Sequence, residues 1–514
     1  MIYDCIVYGG SLGGVLASYT LAKSGKKTLL IEQTKWIGGQ LTNQGVPLDE
    51  HPFIEETGCS NTYRKFRDSI RTHYRNNPSI KEMYRNKKVF NPGGGWVTRL
   101  AFQPQEALTY FENLLKPFVE RGTLTILTET IVNKAIKNSN IIKGVHFNHQ
   151  GEDFYAEAKY FIDATDLGDL LPLTKTKYFT GAESFSETNE PSAPQEADPL
   201  DMQPITWVCA LGFSKNNKIK IDKPSQYDFF KNQILPFNKP LLSWYVAGLD
   251  NKTYRKLSFL QPSETAEGLF HYRKIIDKTK FEEGYFPYDV SLINWPQNDY
   301  IFGNIIEVTN KEENKKCAQE LTLSLAYWLQ NEAPRDDGGI GYPEVFLVPE
   351  ILGTKSGLAL APYIRESRRI KALYTIKEHE IAKKHAKKAP NYFDSVGVGL
   401  YPIDLHMTIN SKTHLYEDVY PFQIPLGALI PVETVNLIAG AKNIGTTHLT
   451  NGCYRLHPVE WNIGESAGHF VSFCLDMNLT PKQIYQSEEL IKQFQEILIL
   501  EGVQLKWDEK YLVK

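Results

Sequence analysis

The run Gly9-Gly10-Ser11-Leu12-Gly13-Gly14 is the stretch whose residue types and spacing most directly imply chemistry. A glycine-rich turn between a strand and a helix lets the main chain approach a pyrophosphate, whose charge then rests on the free N–H groups of the helix N-terminus. Gly9 suits the tight turn, a tiny residue at position 11 the close approach, and Gly14 the packing of helix on strand, with Gly10 and Gly13 completing the loop. Ser11 departs from the usual glycine, and its hydroxyl is small enough to fit there or to donate to a phosphate. Glu32, 23 residues past Gly9, is placed to accept from both hydroxyls of an adenosine ribose, and its charge would repel a 2′-phosphate.

Other residues could move protons or hold charge. His406, His448 and His457, flanked by Tyr401, Tyr454 and Arg455, are the acid–base candidates, because imidazole titrates near neutral pH. Arg365, Arg368 and Arg369 fall at spacings that a helix would put on neighbouring ridges, where with Glu366 they would clamp a substrate carboxylate or tie two parts of the fold together. Cys453 has no neighbour that would clearly lower its pKa, so it is a weak nucleophile candidate.

The elements that must position these groups can be read from the pattern. Ile2 to Tyr8 reads as a strand, the glycine loop follows, then a helix with Leu16, Tyr19 and Leu21 on its apolar stripe, stopped by Gly25, and a second strand Thr28 to Glu32. From Thr123 to Phe147, short runs such as Leu124 to Leu127 and Ile141 to Val145 predict a β-meander, turning at Lys137 to Asn140. Tyr160 to Ala164 is a further strand. Ser184 to Leu200 is polar enough to predict an exposed loop at a domain boundary. Asn314 to Asn331 and Leu360 to Lys388 show helical periods, and Val435 to Gly440 returns to the style of the first strands, ahead of a helix opening near Asn462. The predicted fold is α/β. A Rossmann-like dinucleotide domain, with a parallel central sheet and a β-meander, spans residues 1–180 and 395–514 and is split by an inserted α+β substrate or cap domain over 181–394.

Composition narrows the function. The 514 residues carry 57 Lys+Arg against 60 Asp+Glu, a net charge of −3 that offers no field for a polyanion, so nucleic acid is not expected as a partner. Six cysteines without a C-x-x-C pair give no sign of a metal centre, and no metal is expected. The strand at the N-terminus is not a secretory signal, and no run approaches the length of a membrane span, so the expected setting is cytoplasmic and away from membranes. Aromatics at 12% suit packed layers at least as well as a planar ligand.

Gly38-Gly39-Gln40-Leu41-Thr42 decides between dinucleotides. A glycine pair just beyond the ribose carboxylate lets backbone pass a bulky planar group, as FAD requires, and no second G-x-G-x-x-G marks a separate NAD domain. Together with the opening loop, Phe161-Ile162-Asp163-Ala164-Thr165 with Gly168-Asp169-Leu170, Asn294-Trp295-Pro296, Tyr363 to Ile370, Tyr401-Pro402-Ile403-Asp404 and Ile438-Ala439-Gly440 to Gly468 make a pattern running from Ile2 to about Trp507. It resembles the FAD-dependent oxidoreductases of glutathione-reductase-like, fumarate-reductase-related fold.

The resemblance implies that Gly9, Ser11, Gly14, Glu32 and the adjacent Gln33 hold the ADP half. Gly39, Gln40, Leu41 and Thr42 would approach the ribityl chain and flavin, and Ala164, Thr165 and Gly168 would line the same cleft. Main chain at Ile131 and Val132 would hold the adenine, and Gly440 to Asn443 the pyrophosphate or ribitol. Gly464, Ser466 and Ala467 would begin a helix whose positive end faces the flavin. It also places His448 near the flavin face, ahead of His457, and Arg365 or Arg368 beside the substrate. The expected activity is hydride transfer from a C–N, C–O or C–C bond of a small organic substrate to flavin N5, with dioxygen or another acceptor reoxidising it. A non-redox or electron-transfer flavoprotein, or an RNA-modifying one, is the alternative. A homo-oligomer is left open.

Overall fold

The computed structural model describes residues 1–250, 253–261 and 268–512. Its main sheet has a parallel part in the order Leu124–Leu127, Thr28–Ile31, Ile2–Tyr8, Glu152–Asp163 and Leu437–Ala439. Strands covered on both faces read as continuous apolar runs, as Leu29-Leu30-Ile31 and Leu437-Ile438-Ala439 do. The register sets Tyr8 beside Ile31 and Asp163, and Asp163 beside Ala439. The chain therefore leaves four neighbouring strands at one edge, which in an open parallel sheet is where a ligand sits.

Glu152–Asp163 belongs to two ladders. Its first half pairs antiparallel with Ile141–His149, which pairs with Thr130–Asn138, and its second half runs parallel to Ile2–Tyr8. This is the predicted meander, except that Leu124–Leu127 is not part of it and forms the outer parallel strand instead. Residue alternation says which face a strand buries and nothing about which neighbour it pairs with.

The helices Leu12–Lys23 and His457–Met477 meet backbone to backbone. A Cβ on Gly464 would stand 2.0 Å from Gly13 O, and one on Gly13 1.9 Å from Gly440 O. The closing helix therefore begins before Asn462: Leu456 is its N-cap and Pro458 lies in its first turn, the position where proline's missing N–H costs nothing. Gly464, Ser466 and Ala467 are inside the helix, not at its positive end, with Ser466 Oγ donating to Val396 O at 2.6 Å. Gly464→Ala, by forcing the two helices apart, should cost about 1–3 kcal/mol of stability in urea unfolding.

A second apolar core gathers residues from 202 to 364 with Val46, while residues 370 to 382 pack on the first. It is built on an antiparallel sheet in the order Lys274–Ile276, Asp289–Ile293, Cys209–Phe213 and Val345–Leu347, with the helix Lys311–Asn331 against it. Its rings pack on one another, Trp244 on Trp328 at 4.9 Å and Phe259 on Tyr342 at 4.5 Å between centroids.

Two local expectations are corrected. Residues 360–388 form no long helix: Arg369–Ile370 is a strand paired with Tyr178–Phe179, and only Glu378–Ile381 is helical. The arginines are therefore spread along irregular and extended chain, each bonding different partners, and their helical spacing is coincidental. Ser184 to Leu200 is only partly exposed. It contains the capped turn Phe185–Thr188, and Glu190, 1% exposed, accepts from Thr447 Oγ1 and Glu378 N. Among the described residues no helix is long and apolar enough to cross a membrane.

Candidate functional site

At the carboxyl edge of the parallel sheet the glycine loop is held from every side. Gly9 has φ +100°, and a Cβ there would stand 2.3 Å from the Ala164 carbonyl carbon, so neither the conformation nor the space admits a side chain. A Cβ on Gly39 would likewise stand 2.8 Å from Ser11 Cα. Ser11 is the N-cap of Leu12–Lys23, its Oγ accepting from Gly14 N at 3.2 Å, which accounts for serine where a glycine is usual. The Glu32 carboxylate accepts from Gly10 N and Thr34 N, both at 2.7 Å, and burial outweighs these donors to push it up to about 7. Gln33 Nε2 donates to Tyr8 OH and to Asp169.

The neighbouring loops carry more polar groups than the motif reading contained. Lys442, fully buried, pairs with Asp166 and stands 3.8 Å from Glu460. Burial opposes its charge, but the two carboxylates outweigh it and hold the amine above its ordinary range. Gln40 Nε2 donates to Arg455 O at 3.0 Å and Glu460 Oε2 at 2.5 Å, and Gln44 Nε2 to Asp166 at 2.7 Å. Thr42 Oγ1 donates to Ile37 O, Leu41 is buried, and Thr165 Oγ1 donates to Asp163. Asn443 Nδ2 and Gly440 N both donate to Asp163 O, and Gly168 turns at φ +66° beside Arg368. Val132 lies in Thr130–Asn138 and is buried.

Gln40 Oε1, Asn43 Oδ1 and Gln44 Oε1 are buried acceptors without a partner in this cradle. With the side-chain-free approach at Gly9, Gly10 and Gly39 and the buried cation of Lys442, they suit a diphosphate carrying hydroxyl and ring N–H donors, which is the donor set of FAD. Gln44, Asp166 and Glu460 escape the sequence reading, whereas Lys442 lies inside the Gly440 to Asn443 loop that it assigns to the pyrophosphate or ribitol.

Against this cradle lies a cavity of about 610 Å³, whose wall includes Val46 and Arg455. Val46 N bonds Gln40 O, so cradle and cavity share main chain. Its most reactive corner is His406. Nδ1 lies 2.5 Å from Asp299 Oδ2, and Nε2 3.5 Å from Asp404 Oδ2. Asp299 is set by the pairing of Asp299–Tyr300 with Ile205–Thr206, and Asp404 by that of Ile403–Leu405 with Leu415–Glu417. Burial and the Arg365 charge work against the imidazolium, yet the two carboxylates prevail and keep its pKa raised. Arg365 pairs with Asp299 at 2.9 Å and donates to Pro204 O and Thr206 Oγ1, and Arg455 donates to Tyr363 OH at 2.6 Å and Asp404 O at 3.1 Å.

The two histidines ranked first in the sequence do not line this cavity. His457 Nδ1 accepts from Asp49 N and its Nε2 meets Val46 O, a neutral pin whose pKa burial pushes down to about 3. His448, 5% exposed, bonds Glu366 at 3.0 Å in a buried network with Arg369 and Glu183. Arg368 bonds Glu307 and Leu167 O, also outside the cavity wall. Burial disfavours the His448 imidazolium, but Glu366 outweighs it and raises the pKa. The stability this pair adds is full below the unfolded value of about 6.5 and is lost as pH climbs through the folded one. His448→Asn should leave flavin reduction within about threefold while costing about 1–3 kcal/mol in urea unfolding at pH 6. Cys453 is fully buried, and burial pushes its thiol well up, so it is no nucleophile.

No curated protein sequence matches the chain. Among solved structures, a geranylgeranyl bacteriochlorophyll reductase-like protein from Thermoplasma acidophilum aligns over 98% of this chain and 85% of its own, at 12% identity and a TM-score of 0.37. The anhydrotetracycline hydroxylase OxyS from Streptomyces rimosus covers 73% of this chain and 55% of its own, at 12% identity and TM-score 0.30. Glycerol-3-phosphate dehydrogenase from Bacillus halodurans, complexed with FAD, covers 41% and 39%, at 13% identity and TM-score 0.24. Likeness at these scores says nothing of this chain's chemistry. The family model for FAD-dependent oxidoreductases, by contrast, matches residues 4–498. The chain belongs to the FAD-dependent oxidoreductase family, an enzyme whose cofactor is FAD.

Proposed function

We propose that the protein oxidises a C–O, C–N or C–C bond of a small organic substrate held in the 610 Å³ cavity, as a dehydrogenase or oxidase. When bound in the glycine cradle, FAD supplies a hydride acceptor, and dioxygen or another acceptor would take the electrons onward. Gly9, Gly10, Glu32, Gly39, Gln40 and Lys442 are the residues that would hold it. The cavity volume falls in the range of small-molecule sites, and the residues from 202 to 364 that cover it act as a cap excluding water.

The observation that carries this reading is His406, held between Asp299 and Asp404 in a cavity that shares Val46 and Arg455 with the cofactor loops. His406 exchanges the proton that accompanies bond oxidation: its neutral form takes a proton from a substrate O–H or N–H, and Asp299 and Asp404 stabilise the cation formed. Arg365 and Arg455 hold these two carboxylates in place.

The test is anaerobic mixing of purified protein with a panel of alcohols, amines and hydroxy and amino acids, following the flavin band at about 450 nm. Bleaching by one class, reversed on admitting air or a dye, supports the reading. Flavin that no member of the panel bleaches, while dithionite does, overturns it.

A further inference from the structure

Arg273 is a buried cation of the cavity wall whose charge the protein leaves largely unsatisfied. It is 7% exposed and lines the cavity between the short helix Leu269–Tyr272 and the strand Lys274–Ile276. Its Nε and Nη1 have no acceptor among the described residues, and Nη2 stands 3.8 Å from Asp49 Oδ2, too far for a good hydrogen bond. The guanidinium lies 4.7 Å over the Tyr272 ring, which fixes its plane. Arg365 and Arg455 differ: each leaves only Nε without a partner and spends both terminal nitrogens on protein acceptors. A buried guanidinium with two open nitrogens is costly unless an anion completes it.

The charge around it limits the anion. Arg365 faces Asp299 and Arg455 faces Asp404, and Arg273 faces Asp49, whose Oδ2 also accepts from Tyr401 OH at 3.3 Å. The other charges of the wall, Arg255 and Lys383 against Glu50 and Asp418, cancel in number, so protonated His406 leaves one positive charge in excess. Such a site accommodates one negative charge, and Asp49 would repel a second. A planar two-oxygen group also matches the open donors of a guanidinium better than a tetrahedral dianion does.

We propose that Arg273 anchors the substrate by a carboxylate, so that the molecule oxidised here is an organic monoacid. This rests on the cavity being the substrate site of the flavoenzyme. Tyr272 in the wall offers apolar surface to the body of the acid, and Asp49, beside the anchor, sets the repulsion that keeps dianions out.

Calorimetric titration of the flavin-loaded protein at pH 7 tests the anchor without turnover. The probes are acetate, benzoate and D-gluconate, their neutral counterparts acetamide, benzamide and D-glucitol, and inorganic phosphate. At least one acid should bind about tenfold or more tightly than its neutral counterpart and than phosphate. Arg273→Met should weaken that acid about 30-fold and Arg273→Lys by less, with flavin content retained. Asp49→Asn should tighten it. Were Arg273 merely the partner of Asp49, that same substitution would loosen the site and weaken the acid. If no acid binds at ~50 mM, well beyond the ~1 mM of a weak specific site, the anchor is overturned. Acid and amide binding alike, phosphate binding as well as the acids, or weaker binding in Asp49→Asn would also overturn it. Acids that bind while no member of the panel bleaches the flavin would keep the anchor and sink the dehydrogenase reading, and bleaching only by molecules without a carboxylate would sink the monoacid and keep the dehydrogenase, so the failures are told apart.

Discussion

His406→Asn lowers the rate of flavin reduction by the substrate about 10²–10⁴-fold while flavin content stays near wild type, because the change removes the proton acceptor and keeps the shape; losing the pair with Asp299 also lowers the unfolding midpoint below the raised pKa, as for His448→Asn. The sign of the pH dependence follows from the geometry. Asp299 and Asp404 hold the His406 pKa above its ordinary value, and the neutral base forms only as pH climbs through it. The rate in the oxidation direction should rise as pH increases through that raised pKa and level off above it. Reduction of the oxidised product by dithionite-reduced enzyme should show the opposite slope. Asp404→Asn removes one stabilising carboxylate and should move the rising limb to lower pH. Stopped-flow reduction across pH 5.5–9.5 checks all three. An unchanged limb in His406→Asn would remove His406 from the chemistry.

Lys442→Met should be the most destabilising single change in the cradle, about 3–5 kcal/mol, with loss of most bound flavin. The buried lysine pairs with the partly exposed Asp166 and the buried Glu460, so its removal leaves both carboxylates, one of them in the interior, without their cation. Adding Glu460→Gln removes one of those charges and should restore part of the stability while leaving flavin affinity low, which separates the structural share of Lys442 from its share in holding a diphosphate. The measurements are urea unfolding of the protein stripped of flavin and the flavin-to-protein absorbance ratio after gel filtration. A melting curve and flavin ratio unchanged in Lys442→Met would show that the amine does neither.

The opening β-turn-α unit and Glu32 could be read directly, because strand, glycine turn, helix and carboxylate follow one another within about thirty residues and each has a local steric reason. The parallel strands and the meander were legible for the same cause, since burial on two faces or one leaves its mark in the residues themselves. The helical spacing of Arg365, Arg368 and Arg369 misled, because spacing reports a helix only where the rest of the segment agrees. Here those side chains turn to separate partners at Asp299, Glu307 and Glu366. The closing helix starts five residues before the predicted Asn462, because His457-Pro458 forms its first turn.

By itself, then, the sequence determined a dinucleotide cradle, the layers around it and FAD as the occupant, all properties of short contiguous segments. Only the tertiary structure decided which histidine faces the cavity, which arginine is left without an acceptor, and that Lys442 is the buried cation of the cradle. His406 meets Asp299 across 107 residues, and Lys442 meets Asp166 across 276. Proton-transfer and charge-pairing geometry is fixed by how separate strands and loops pack, and no local spacing records which distant carboxylate a side chain will meet.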